Sequence, residues 1–357
     1  MTRASIDRAE RAVDFGRPTI VVRRARFGVR IDLRTLIVCV SLAVAVMAVA
    51  VVALTSGSYQ LGILQVISAL AGRESGIVHE IVVEWRLPRV VATVVFGAAL
   101  GVSGAMFQSL TRNALASPDV IGFSSGSYTG ALIVIILVGG SYIQVAAGAL
   151  LGGVATAVLV YVLAWRRGVQ GFRLVVVGIG VSAMLASLNT WMLLKAKLEV
   201  AMAAAAWGAG SLNGVSWDQV AIGSAFIAVL LVGAGLLSRP MRQLELGDDT
   251  AAAQGVSVAI TRLGLIVVGV ALTATVTAAS GPIVFIALSA PQIARRLART
   301  AGITLAPAAF AGALLLGVAD LIAQRIAPTP LPVGVITVMI GGGYLGWLLF
   351  IEARRRL

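Results

Sequence analysis

Residues 120–165 contain no Asp, Glu, Lys or Arg over 46 positions. A run of that length has no place in a water-soluble core, but it fits a bilayer. The hydrocarbon layer is about 30 Å thick and takes about 20 apolar residues as a helix. The run therefore reads as two spans turning at Gly139-Gly140-Ser141. Runs at 36–54, 90–111, 174–194, 219–238, 300–319 and 332–351 give one span each. The stretch 263–294 is too long for one helix and is broken at Ser280-Gly281-Pro282, so it gives two more. About ten spans result, nine or eleven if the irregular region at Gly281-Pro282 divides otherwise, in an all-α membrane protein with an inverted-repeat-like core. Composition agrees: 12% of the residues are charged, against about 25% in soluble chains.

Lys and Arg set the orientation, because cytoplasmic loops carry the excess. With the N-terminus inside, 22 of the 28 cations fall on inner segments. Only Arg73, Arg86, Arg89, Lys195, Lys197 and Arg325 fall outside. Both termini are expected in the cytoplasm. The net charge of +13 is thus a topology signal and does not point to nucleic acid. Residues 1–34 are expected to form an arginine-rich cytoplasmic tail, uncleaved because Asp7, Glu10, Asp14 and Asp32 interrupt it and a full span follows. Residues 35–357 form the transmembrane domain.

Two segments look faintly alike. Ser117-Pro118-Asp119-Val120-Ile121-Gly122-Phe123 opens the third span at the inner face, and Ser280-Gly281-Pro282-Ile283-Val284-Phe285 opens the eighth at the outer face. Such a pair suits an inverted-topology repeat, a pattern of transporters. Gly97/Gly101, Gly126/Gly130, Gly148/Gly152 and Gly342/Gly346 offer close helix packing. Between spans, 63–70 reads as a short amphipathic helix. Trp207 and Trp217 suit an interfacial belt, with a turn-rich segment at 208–214. The inner loop 239–262 is expected to present two small helices. Gly247, Asp248, Asp249 and Thr250 supply the cap and acidic first turn, Gly255 ends the first helix, and Ser257 caps the second. They form a docking surface for a soluble partner.

Chemistry of the chain's own is scarce. Gly122-Phe123-Ser124-Ser125-Gly126 matches a nucleophile elbow, but it sits at a membrane helix start with His79, the single histidine, on the other face. Cys39 is the single cysteine, and no metal or cofactor site is expected. A P-loop needs a lysine after glycine, and neither Lys195 nor Lys197 has one. Ion coupling needs acids deep in the bilayer. Asp119 reads as lying at the inner edge of its span. Asp320 lies near an outer end, five residues from Arg325 and within reach of it near the surface. The driving force is therefore expected from a separate ATPase, with a gradient-driven carrier of a bulky metal chelate as the alternative.

Several motifs in order carry a family resemblance. They include Arg86-Leu87-Pro88-Arg89, Gly104-Ala105-Met106-Phe107-Gln108, Arg112-Asn113-Ala114-Leu115-Ala116 and Ser117-Pro118-Asp119. Further on come Gly281-Pro282-Ile283-Val284-Phe285, Pro291-Gln292-Ile293-Ala294-Arg295 and Leu331-Pro332-Val333-Gly334. Together they resemble the bacterial vitamin B12/iron–siderophore permease family from about residue 80 to the end. The resemblance implies a ten-helix permease in the bacterial cytoplasmic membrane, surrounded by lipid. It is not an enzyme itself; an ATP-binding subunit works on the cytoplasmic side. A second permease, a distinct homologue, pairs with it, and an extracytoplasmic siderophore-binding protein docks outside. The implied substrate is a ferric siderophore, first a catecholate such as ferric enterobactin, then a mycobactin-type or hydroxamate chelate.

By the same resemblance Arg86, Arg89 and Arg325 face the binding protein. Asn113, Leu115 and Gly171 close the pathway at the cytoplasm, and Gly247, Asp248, Asp249, Thr250 and Gly255 belong to the ATPase-coupling segment. Three departures stand out. Ala114 replaces a usual proline, Gln292 a usual histidine, and Gly342-Gly343 an Ala-Pro pair.

Overall fold

The computed structural model describes residues 19–24, 27–57, 59–165 and 171–356. Residues 1–18 of the arginine-rich tail lie outside the described residues, as do Arg26, Arg166 and Arg167 of the orientation count. Ahead of the helices stands an antiparallel hairpin, β1 (Thr19–Arg24) and β2 (Phe27–Asp32), with Thr19 opposite Asp32. The Asp32 carboxylate then accepts the Arg34 N–H at 2.9 Å and caps α1, Leu33–Thr55.

After α1 come α2 (Ile63–Leu70) and a three-residue turn, α3 (Ile77–His79). A π-helical stretch, Glu80–Arg86, leads without a break into α4, Leu87–Thr111. This makes one rod of 35 residues, longer than the charge-free window 90–111 suggested. Glu80, Glu84 and Arg86 hid its first half from a search for uncharged runs. The widened turn also precedes Pro88 and takes up the carbonyl clash a proline imposes on a continuing helix.

The remaining helices are α5 (Phe123–Leu137), α6 (Tyr142–Ala164), α7 (Gly171–Lys195), α8 (Leu198–Gly208) and α9 (Trp217–Glu245). They continue as α10 (Asp248–Ala253), α11 (Val258–Ser280), α12 (Ile286–Ala298), α13 (Leu305–Ala323) and α14 (Val333–Arg356). The ten expected spans correspond to α1, α4, α5, α6, α7, α9 and α11–α14. Among the described residues, seven helices are long and apolar enough to cross a membrane on their own. Two of the others, α5 and α12, are short at 15 and 13 residues, because each starts only after a non-helical stretch. In both, the residue before the helix has a positive φ: Gly122 at 98° and Phe285 at 69°.

Helix α4 is the centre. Its apolar window is 72% buried, against 11% for α1 and 17% for α7, and Phe96, Leu100, Met106 and Phe107 are enclosed. Outward-facing Met47, Phe172, Leu194, Phe226 and Leu236 cover the periphery with apolar surface. Such a surface suits hydrocarbon and would aggregate in water.

Glycine sets the closest approaches. A Cβ on Gly101 of α4 would lie 2.1 Å from the Ala308 carbonyl oxygen of α13, and one on Gly130 of α5 would lie 2.1 Å from that of Gly148 in α6. Backbones can approach that closely only without a side chain between them. The motif at Gly342 and Gly346 differs: among the described residues, a Cβ at either position would meet no atom within 4 Å beyond its own stretch of helix.

Two expectations for the loops change. Loop 195–218 holds the helix α8, and its tryptophans pack inward: Trp207 stacks on Tyr128 with centroids 6.2 Å apart, and Trp217 Nε1 donates to the Val83 carbonyl at 2.8 Å. The second small helix of loop 239–262 is the first turn of the long α11, with Ser257 at its cap.

Candidate functional site

Polar side chains gather at both ends of the bundle and at several points between, among them the buried pairs Ser103–Thr273 and Thr129–Asn189. We call the end that carries Arg112, Arg262 and Arg295 the arginine-rich end.

At the opposite end, the start of α4 meets the ends of α1 and α13. Arg86 donates to the carbonyls of Leu54 at 2.7 Å and Tyr59 at 2.5 Å, which ties α4 to the chain leaving α1. Arg89 grips Asp320 of α13 with two nitrogens of its guanidinium, Nη2 to Oδ1 at 2.7 Å and Nε to Oδ2 at 2.9 Å. Gln324 donates to the same carboxylate at 2.7 Å. Arg325 is the cation within reach of Asp320 along the chain. Instead the acid turns to Arg89, because a step of five residues carries a helix side chain well round to another face. Arg325, exposed, donates to the Ser56 hydroxyl. A cavity of about 590 Å³ opens here between α1, α4 and α13, with Arg86, Arg89 and Asp320 on its wall.

Between the ends, the chain ahead of α5 runs alongside α7: a Cβ on Gly178 would meet Ile121, and one on Gly122 would meet Ser182. Gly178 stands two full turns inside α7, which begins at Gly171. Asp119 stands in this non-helical stretch, two residues before Ile121. Its carboxylate accepts the Ser124 hydroxyl at 2.5 Å and lies against the Phe285 backbone N–H. The two non-helical segments that open α5 and α12 thus meet through one acid. Ser124, the residue at the elbow-like position, is spent on that contact.

At the arginine-rich end, α4 stops in a left-handed turn, with Arg112 at φ 51° and the Asn113 N–H bonded back to the Gln108 carbonyl. Asn113 Oδ1 accepts the Leu115 N–H at 2.9 Å, which folds the next three residues into a compact turn. Gly171 opens α7 directly against α4, since a Cβ there would lie 2.7 Å from Thr111 Cα. The three residues assigned to the closure therefore cluster around the last turn of α4. The other predicted set also forms one unit. Gly247, at φ 118°, precedes α10, Asp248 and Asp249 occupy its first turn with Thr250, and Gly255, at φ 83°, ends it.

Three further side chains at this end had no role assigned from the sequence. Glu245 accepts the Ser109 hydroxyl at 2.8 Å and joins α9 to α4. Gln292 of α12 donates to the Ala114 carbonyl at 2.7 Å, so the residue in place of a histidine holds the turn that follows α4. Arg112 reaches the Leu244 carbonyl at 2.6 Å and Asp248 at 2.8 Å. The sequence places it in the motif Arg112-Asn113-Ala114-Leu115-Ala116 and in the inner charge count, without a partner.

Comparison with known proteins fits this layout. The model of the FecCD transport family matches residues 42–350. The ferric enterobactin transport system permease protein FepG of Escherichia coli (strain K12) is 51% identical over 324 residues, covering 90% of this chain and 98% of that protein. The achromobactin transport system permease protein CbrC of Dickeya dadantii is 36% identical, covering 92% and 96%. Among solved structures, a metal-chelate type ABC transporter in an inward-facing conformation superposes with a TM-score of 0.76 at 25% identity, covering 88% of this chain and 99% of that one.

Proposed function

This chain belongs to the FecCD transport family, and on that premise we propose that it is a permease subunit of an ATP-driven importer for a ferric siderophore, ferric enterobactin first. It is a multi-pass protein of the cytoplasmic membrane. The observation that carries the reading is the 51% identity to an enterobactin permease along almost the whole of both chains. The fold supports it with a bundle whose exterior suits lipid and whose charge is concentrated at its ends.

In this reading both termini and the arginine-rich end face the cytoplasm, with residues 1–34 as a tail and 35–357 as the permease. The segment 239–262 takes up a separate ATP-hydrolysing subunit through Gly247, Asp248, Asp249, Thr250 and Gly255. Asn113, Leu115 and Gly171 close the pathway at the same end. At the opposite end the siderophore-binding protein docks, with Arg325 and Arg86 offering positive charge and Arg89 fixed beside them by Asp320. A second permease, a distinct homologue, completes the membrane unit.

Growth on single siderophores tests the substrate. A strain lacking this permease, given one ferric chelate at a time, is expected to lose growth and radiolabelled iron uptake on enterobactin and recover both with the gene restored. Normal uptake of ferric enterobactin in that strain, with loss confined to a hydroxamate or citrate chelate, contradicts the assignment.

A further inference from the structure

We propose that Arg112 is the joint that carries movement of α10 into the closing turn at residues 113–115. The inference rests on the reading of α10 as the ATPase-facing segment and extends it to a residue outside the sets above.

Arg112 stands in left-handed backbone, φ 51°, one of three non-glycine residues with positive φ among the described residues. A helix stop of this kind favours glycine, so the strained arginine points to work for its side chain. The guanidinium shows that work. One nitrogen, Nη2, donates to the Leu244 carbonyl at the end of α9 and to Asp248 Oδ1 in the first turn of α10, at 2.6 and 2.8 Å. Asp248 in turn accepts two bonds from Arg262 of α11, at 2.9 and 2.7 Å. A single carboxylate therefore binds the last turn of α4 to the start of α11 through α10.

The closing turn is anchored twice. On one side Arg112 precedes it without an intervening residue. On the other, Gln292 of α12 holds the Ala114 carbonyl at 2.7 Å. A displacement of α10 pulls on the first anchor while α12 retains the second, so the Asn113–Leu115 turn must deform between them. The side chains of Arg112 and Asp248 are 47% and 41% exposed. Pairs so open to water add little to folding stability. A geometric link is what such a pair can supply.

The test uses the complete transporter, with its ATPase, second permease and binding protein, in proteoliposomes. Ferric-siderophore uptake is measured per ATP hydrolysed, beside the thermal stability of each complex. Arg112→Gln is expected to assemble and hydrolyse ATP while uptake per ATP falls about tenfold, the size of a typical coupling between sites. Asp248→Asn is expected to give the same fall, and the double variant no more than either single one. An unchanged ratio in Arg112→Gln, or defects that multiply in the double variant, overturns the joint. If Arg112→Gln does not assemble, Gln292→Leu, which frees the second anchor at the Ala114 carbonyl and leaves the ATPase-facing segment untouched, decides by the same ratio. Wild-type uptake that ignores ATP would instead defeat the proposed function.

Discussion

Arg89 and Asp320, 231 positions apart in the chain, close a two-pronged ion pair, Nη2 to Oδ1 at 2.7 Å and Nε to Oδ2 at 2.9 Å. Their side chains are 16% and 4% exposed. Removing one partner strands the other charge. Asp320→Leu alone is expected to destabilise the chain by about 3–5 kcal/mol, while Arg89→Met with Asp320→Leu recovers most of the loss. Thermal unfolding in detergent reads both. A double variant no more stable than the single one contradicts the pairing.

The same pair divides the three arginines proposed to face the binding protein. Arg325→Glu is expected to weaken the docked binding protein, most at low salt, because an exposed charge acts through a screened field. Arg89→Glu is expected to act first on stability. Titration of a labelled binding protein at two ionic strengths, beside a melting curve, separates the two effects. Equal docking by wild type and Arg325→Glu removes Arg325 from the interface.

Asp248→Lys together with Asp249→Lys places cations at the start of α10. Each costs about 0.3–1 kcal/mol there through the helix dipole. The larger expected effect is on assembly: the ATPase subunit is lost from co-purification. Recovery in wild-type amounts tells against the assignment of segment 239–262.

Gly101 and Gly346 make a matched pair of tests. Gly101→Val drives a side chain into the Ala308 carbonyl. Overpacking of that kind is expected to cost about 1–3 kcal/mol. Gly346→Ala meets open space among the described residues. A surface change with no such contact is expected to shift stability by no more than about 0.5 kcal/mol. Thermal stability of the isolated permease distinguishes them, and equal losses contradict the α4–α13 contact.

The helices were legible because the bilayer imposes its thickness on the sequence: every charge-free run proved to lie in or across a helix. The rest was less so, for physical reasons. The first half of the α4 rod carries charge at Glu80, Glu84 and Arg86, so hydropathy could not reveal it. In loop 195–218 the glycines at 208, 210 and 214 drew attention to turns and away from the alanine-rich α8. Asp320 has a cation five residues away in sequence and a better-placed one 231 away, and only the packing of α13 on α4 decides between them. The small helix after Gly247 was legible from its cap and acidic first turn, whereas the roles proposed for it and for Asn113, Leu115 and Gly171 came from resemblance. Arg112, Glu245 and Gln292, which tie them together, act between elements distant in the chain, and no local pattern announces that.

Asp119 bears on the source of energy. Asp119→Asn keeps an acceptor for Ser124 and removes the charge. The expected loss of stability is that of one hydrogen bond, about 1 kcal/mol. ATP-driven uptake is expected to persist. Abolished uptake with intact stability and ATP hydrolysis would make the acid a proton carrier.

The most direct measurement loads proteoliposomes containing the assembled transporter with ATP on the arginine-rich side, supplies ferric enterobactin and its binding protein on the other, and adds an uncoupler. Accumulation is expected to require ATP and to survive collapse of the proton gradient. Accumulation by the permease without its ATPase, abolished by the uncoupler, would contradict it.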